Sequence, residues 1–448
     1  MPAYPLKNIN PITGQPWKIL LFGDLVALTG FGRIGNEVGR RLKQRGYDVQ
    51  AAGIGYTGWP LKASEFPYHV WPVVADLWVT LAGIVQQTQP DLLLSYQDFP
   101  YHKTIWEACK IDFSRIRWVF ITPIDGTPIH PDWVKLCQFP DGVMHISRFG
   151  IEAMRQAGHK SALCHPGVDN GEFYPAEAEE KLALRKAAGY AGGEFIVGVV
   201  CMNQGRKAIP SMIEAFHEFA KDKPEARLLL DMDQAAPAGW DIPAMLKQMG
   251  WTDEEQKRVK YRPDLFRDAD GKQNDAMLPL RNRYALMDAH MVISHREGFG
   301  LPLLESMACR VPTLALDWCS GPEIVGEGRG WLVRRLPYME RGAWGGAMDA
   351  FPDLPHLIEH LNFIYSHPVE AAGIAATGYK WARRQTWDVT ADQVEEVIIA
   401  AFRRQKESSH VEPIASPNPA PGLSNVYGPD GNQDPAPAET VGGDPGLQ

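Results

Sequence analysis

The stretch AHMVISHREGFGLPLLESMACRVPTLALDWCSGPEIVGEGRGWLV (289–333) decides how the whole chain reads. It opens on a short apolar run, AHMVIS (289–294), and passes through a glycine-rich loop, EGFG. A helix is expected near Pro302, because proline's missing N–H costs nothing in a first helical turn. A second apolar run, TLALD (313–317), follows. Strand, loop, helix and strand in this order predict a parallel unit. Its strands are covered on both faces and therefore read as unbroken apolar runs.

The same alternation extends outward. FIVGVV (195–200), ARLLLDM (226–232) and VKYRP (259–263) precede it in one series. An earlier series starts afresh with KILLFG (18–23) and runs through DVQAAGI (48–54), DLLLSY (91–96), WVFIT (118–122), GVMHIS (142–147) and SALCHPG (161–167). The charged, glycine-punctuated segment 175–194 separates the two. An α/β chain of two doubly wound, Rossmann-like domains is therefore expected, facing each other across a cleft. Ligands in such sheets lie beyond the carboxyl ends of the strands, so the cleft is where chemistry is sought. The aromatic-rich GYTGWPLKASEFPYHVWPV (55–73) reads either as a lining of that cleft or as a packed surface loop.

Charge narrows the function class. Lys plus Arg is 45 and Asp plus Glu is 54, a net charge of −9. Six acids after Lys406 carry −6 of this with no base among them, which leaves −3 for residues 1–406. A nearly neutral body argues against broad coating of nucleic acid, which needs a basic face. The last 41 residues hold eight prolines and six glycines, so 407–448 read as a disordered acidic tail. The opening MPAYPLKNINPITGQPW has no apolar core and does not read as a signal peptide, and no run is long enough to span a bilayer. Six scattered cysteines without CxxC spacing read as buried, reduced thiols of a cytoplasmic protein.

Two glycine loops compete for attention. Gly30, Gly32 and Gly35 match GxGxxG, the dinucleotide fingerprint, and keep open an NAD-dependent oxidoreductase. Six residues separate Gly23 from Gly30, however, and no acidic residue ends the next strand to hold a ribose. The loop still suits an anion or sugar, through Gly30, Phe31 and Gly32 at a helix start. In the second loop, Gly298, Phe299 and Gly300 offer amides beside a positive helix end, flanked by Glu297 and Glu305. Two carboxylates beside an anion pocket would repel the anion. Hydrogen bonding to sugar and ribose hydroxyls gives them a purpose; a capping glutamate beside a surface glutamate is the plainer reading.

Glu297 and Glu305, with GFGLPLL between them, resemble the signature of retaining glycosyltransferases of the GT-B fold, glycosyltransferase family 4. CSGPEIVGEG (319–328), NQGRKAIPSMIEAF (203–216), TPIDGTPI (122–129), ISRFGIEAM (146–154) and HPGVDNGEFYP (165–175) look like further text of that family, in order over roughly residues 17–404. The resemblance implies an acceptor-side domain over 17–180, a nucleotide-sugar domain over 190–379 and a helix over 380–406 that returns to the first. It implies a hexosyltransferase that moves sugar from a nucleotide-diphosphate sugar to an acceptor hydroxyl with retention. Glu297 would contact the transferred sugar and Glu305 the ribose. Amides of Phe299, Gly300 and Leu301 would hold sugar or diphosphate oxygens, and Arg206 and Lys207 the leaving diphosphate. Most family members carry an arginine where Met202 stands, so Arg206 is expected to substitute for it.

Asp125 and Asp98, at strand ends of the first domain, are expected to orient the acceptor hydroxyl, with a turn-capping role equally open. His102, His130 and His165 are weaker candidates. Neither a resident cofactor nor a metal is expected; Asp231 and Asp233 form a DxD tripeptide, but at the end of a central strand. A phosphorylase or epimerase on the same fold is the nearest alternative. The acceptor reads only as a class: a glycan, a lipid-linked sugar or a small molecule, with DNA or protein ranked behind. The expected location is the cytoplasm, free or peripheral to a membrane.

Overall fold

The computed structural model describes residues 8–266, 273–341 and 346–404. The stretch expected as a tail, 407–448, lies outside the described residues. Two parallel sheets carry the fold. The first comprises β1 (Lys18–Gly23), β2 (Asp48–Ile54), β3 (His69–Val73), β4 (Leu92–Tyr96), β5 (Arg117–Thr122), β6 (Gly142–His145) and β7 (Ala162–Leu163), in the order β3-β2-β1-β4-β5-β6-β7. The second comprises β8 (Phe195–Val200), β9 (Ala226–Asp231), β10 (Val259–Tyr261), β11 (Ala289–Val292), β12 (Thr313–Leu316) and β13 (Trp331–Val333), in the order β10-β9-β8-β11-β12-β13. Each order reverses direction at a central strand, as in a doubly wound sheet.

Local chemistry accounts for the elements that shape the cleft. The helix Gly30–Gln44 starts where the Thr29 hydroxyl accepts from the Gly32 amide, and it buries Ile34, Val38 and Leu42 at four-residue spacing. The helix Leu301–Ala308 starts at Gly300, whose φ of 94° is left-handed and favours glycine, and carries Pro302 in its first turn. Its side chains other than Pro302 are all buried, because it lies between the second sheet and the helix Pro368–Ala382. The helix Trp387–Arg403 returns to the first sheet. There Trp17 stacks on Phe402 at 3.9 Å between ring centres, and Glu395 accepts from Arg45 at 2.9 Å and Tyr47 at 3.0 Å.

The structure departs from the sequence reading in two places. Within the aromatic segment 55–73, His69–Val73 is an edge strand paired with β2. After β13 the chain forms an antiparallel hairpin, β14 (Arg335–Arg341) and β15 (Met348–Pro352). This hairpin spans the two halves: the Met348 amide donates to the Thr127 carbonyl at 2.8 Å, and the Ala350 amide to the His295 carbonyl at 3.2 Å. All six cysteines are free and buried.

Candidate functional site in the interdomain cleft

The loops at the carboxyl ends of both sheets meet. A Cβ added to Gly298 would lie 2.9 Å from Cβ of Pro123, and one added to Gly30 would lie 3.6 Å from Cδ1 of Leu301. Glycine at 298 thus permits a close approach of the two halves.

On the second sheet, the turn Gly205–Lys207 follows β8 and the loop 295–300 follows β11, its neighbour. The His295 amide donates to the Arg206 carbonyl at 2.9 Å and locks the two together. This brings three expected residues to one point. Lys207 Nζ donates to Glu297 Oε2 at 2.5 Å, Arg206 Nη1 lies 3.7 Å from the same oxygen, and the Ser294 hydroxyl donates to it at 3.0 Å. Burial raises the pKa of Glu297, but the two cations outweigh that and hold it below its ordinary value. The amides of Gly298, Phe299, Gly300 and Leu301 donate to no acceptor among the described residues, and no side chain caps this helix. Orphan amides at a helix start, flanked by cations, attract an anion. Met202, where the resemblance expects an arginine, is half exposed.

Glu305 lies apart from this cluster and 4% exposed. Its Oε1 accepts from Arg33 at 2.7 Å and its Oε2 from the Tyr284 hydroxyl at 2.8 Å. Arg33 comes from the other half, on the helix of the GxGxxG loop; its second arm donates to Glu172, and its guanidinium lies over the Phe173 ring. Burial alone would lower the pKa of Arg33, and the two carboxylates more than reverse it.

On the first sheet, Asp24, Asp98 and Asp125 follow β1, β4 and β5, three adjacent strands. Asp98 is open to the cleft yet has protein around it. Desolvation, then the charges of Asp125 and Asp24, push its pKa from 3.8 up to about 6, against a lowering by Arg206. Asp125 Oδ1 lies 3.5 Å from Arg296 Nη1, and Arg296 Nε donates to Asp349 of the hairpin at 2.6 Å. In the GxGxxG loop the Gly32 amide is spent on the Thr29 hydroxyl at 3.2 Å, whereas the Gly30 and Phe31 amides have no acceptor among the described residues.

Other candidates serve the framework. Asp231 of the DxD tripeptide is fully buried between Arg262 at 2.8 Å and Arg283 at 2.9 Å. Among the described residues, no group of three or more His, Cys, Asp or Glu side chains could hold a metal ion. His102 is buried between the Ser95 hydroxyl and the Ile121 carbonyl, and desolvation lowers its pKa to about 3. His130 caps a short helix, and His165 faces Glu323 at 3.5 Å. Sequence reasoning missed Arg33, Tyr284, Arg296 and Asp349. Arg33 and Arg296 had a signal, their places inside the two quoted glycine-loop stretches.

The family model described as glycosyl transferases group 1 matches residues 274–335, which include the second glycine loop and both glutamates. A GDP-mannose-dependent monoacylated alpha-(1-6)-phosphatidylinositol monomannoside mannosyltransferase of Corynebacterium glutamicum is 25% identical over 58% of this chain and 62% of its own length. An N-acetyl-alpha-D-glucosaminyl L-malate synthase of Bacillus anthracis is 24% identical over 67% of this chain and 78% of its own length. A D-inositol 3-phosphate glycosyltransferase of Segniliparus rotundus is 26% identical, and the chain spans 48% of it. Anabaena HepE in complex with UDP and glucose superposes with a TM-score of 0.65 at 16% identity, over 85% of this chain and 99% of that one. Sucrose-phosphate synthase of Thermosynechococcus elongatus gives 0.67 at 16% identity, over 86% and 99%. The chain therefore has the GT-B fold: two facing Rossmann-like α/β domains. Within it, residues 274–335 form a glycosyl transferases group 1 segment.

Proposed function

We propose that the chain transfers a hexose from a nucleoside-diphosphate sugar to an acceptor hydroxyl, with retention of anomeric configuration. The observation that carries this is the convergence of Lys207, Arg206 and Glu297 beside the uncapped amides of 298–301. The relatives' names support a nucleotide-sugar donor, and the Anabaena structure binds UDP and glucose at this fold.

In this reading the loop amides and the two cations hold the diphosphate. The bond from the sugar's anomeric carbon to the β-phosphate oxygen breaks, and negative charge grows on that phosphate. Arg206 and Lys207 stabilise the growing charge more than the ground state, which lowers the barrier. They do the work a divalent ion would otherwise do, so the reaction is independent of metal and cofactor. Glu297 contacts the transferred sugar. Sequence spacing singles out no carboxylate nucleophile, so in this reading the acceptor oxygen attacks on the face the leaving group vacates, and the leaving phosphate takes the acceptor's proton. Asp125 or Asp98 orients the acceptor hydroxyl from the opposite wall. The domains of this reading are the ones proposed from sequence, 17–180 joined by the returning helix 380–406, and 190–379. The protein works in the cytoplasm, and the acceptor is a glycan, a lipid-linked sugar or a small molecule.

A donor screen tests the reading. UDP-, GDP- and ADP-sugars are offered to the purified chain, and diphosphate release and thermal shift are recorded. One donor should stabilise the protein and be slowly hydrolysed, and Lys207→Ala should weaken its diphosphate by roughly tenfold or more, the scale of one charge-assisted hydrogen bond. Indifference to all donors, or turnover only with inorganic phosphate, would overturn it.

A further inference from the structure

The contact that the reading above leaves unexplained is the one across the cleft at Glu305. A carboxylate meant to hold ribose hydroxyls must be fixed in direction, since a mis-aimed acceptor gains little. Within its own domain, among the described residues, the Tyr284 hydroxyl alone fixes it, through Oε2 at 2.8 Å. Oε1 is held by Arg33 at 2.7 Å, a residue of the opposite domain. Arg33 is itself held: its other arm is on Glu172 and its plane lies over Phe173, both in its own half just before the segment that joins the two. A carboxylate accepts about four hydrogen bonds, so one from Arg33 and one from Tyr284 leave capacity for two ribose hydroxyls.

We propose that Arg33 is a positioning residue of the donor site: it aims Glu305 at the ribose from across the cleft, so that the site is complete only when the two halves are together. This rests on the donor-binding role of Glu305 and extends it. Arg33 acts through Glu305 and does not touch the diphosphate.

Isothermal titration of the full chain with UDP, GDP and ADP identifies the diphosphate that binds; its 2′-deoxy and 3′-deoxy forms are then titrated into wild type and Arg33→Met. Arg33→Met should weaken the ribonucleotide by roughly tenfold, the scale of one hydrogen bond to a charged group, and the deoxy forms by less than about twofold. Arg33→Lys, which keeps the charge without the planar fork, should fall between. Tyr284→Phe should show the same ribose-selective loss. Equal losses for ribo and deoxy forms would overturn the proposal, because a role on the phosphates or in general stability does not distinguish sugars. If wild type binds none of the three diphosphates, the donor-site reading itself fails, a separate outcome. Circular dichroism melts of each variant confirm that folded protein was titrated.

Discussion

Two glycine loops follow parallel strands in the two halves, and they are put to different use. In the first, Thr29 caps the helix and consumes the Gly32 amide. In the second, Gly300 occupies the cap position, offers no side chain, and leaves the amides of 298–301 without a protein acceptor among the described residues. Cations stand beside the second loop. Beside the first, the strand ends carry Asp24, Asp98 and Asp125. Glycine spacing alone therefore does not mark an anion site. An uncapped helix start with fixed cations does, because there the unspent donors and the cations' field act together. The paired walls, cationic on one side and acidic on the other, suit a reaction between an anionic donor and a hydroxyl.

The largest expected effect tests the second loop. Glu297→Gln should lower donor turnover by about a hundredfold or more while circular dichroism shows a native fold. Turnover like wild type would remove Glu297 from the chemistry. Next, Gly300→Ala forces a left-handed residue and drives a Cβ to 2.9 Å from Leu303 Cδ1 and 3.4 Å from Glu297 Cγ. Diphosphate affinity should drop roughly tenfold as the loop shifts. The matching change in the first loop, Thr29→Ala, should cost about 1 kcal/mol of stability and leave that affinity alone. If both changes weaken binding equally, the contrast between the loops is wrong.

The acidic wall gives a pH test. In the folded chain Asp98 keeps its proton up to about 6, against 3.8 ordinarily. Between those values the folded state binds more protons than the unfolded one, so stability should fall as pH rises through that window. Asp98→Asn should flatten the fall in thermal melts, and Asp125→Asn should move it to lower pH by removing a neighbouring negative charge. Melting curves that stay parallel to wild type would show that the wall is not coupled. The smallest effect concerns Ala208, which follows Lys207 with φ of 50° and is 1% exposed. Ala208→Gly should relieve left-handed strain and raise stability by up to about 1 kcal/mol, read from denaturant unfolding. A loss instead would mean that glycine's extra freedom in the unfolded chain outweighs the strain.

Most strands were legible because parallel strands are apolar on both faces; KILLFG, DVQAAGI and FIVGVV coincide with β1, β2 and β8. His69–Val73 was not, since an edge strand with a proline and exposed residues lacks that signature. The hairpin β14–β15 was not, because it is mostly exposed and is held by contacts such as Met348 to Thr127, far apart in sequence. In the site, Glu297 was legible beside its glycine loop and Arg206 and Lys207 through the family resemblance, and the structure adds that they meet. Arg33 and Tyr284 were not assigned, because their partner, Glu305, is 272 and 21 residues away.

The sequence by itself determined the two series of buried strands, the glycine turns and the residue types beside them. These follow from local rules: apolar runs, proline and glycine preferences, and charge. Only the tertiary structure decided which amides stay unspent, that Lys207 sits on Glu297, and that an arginine of one half aims a carboxylate of the other. Those facts depend on how two sheets are set against each other, and no local stretch of chain carries that information.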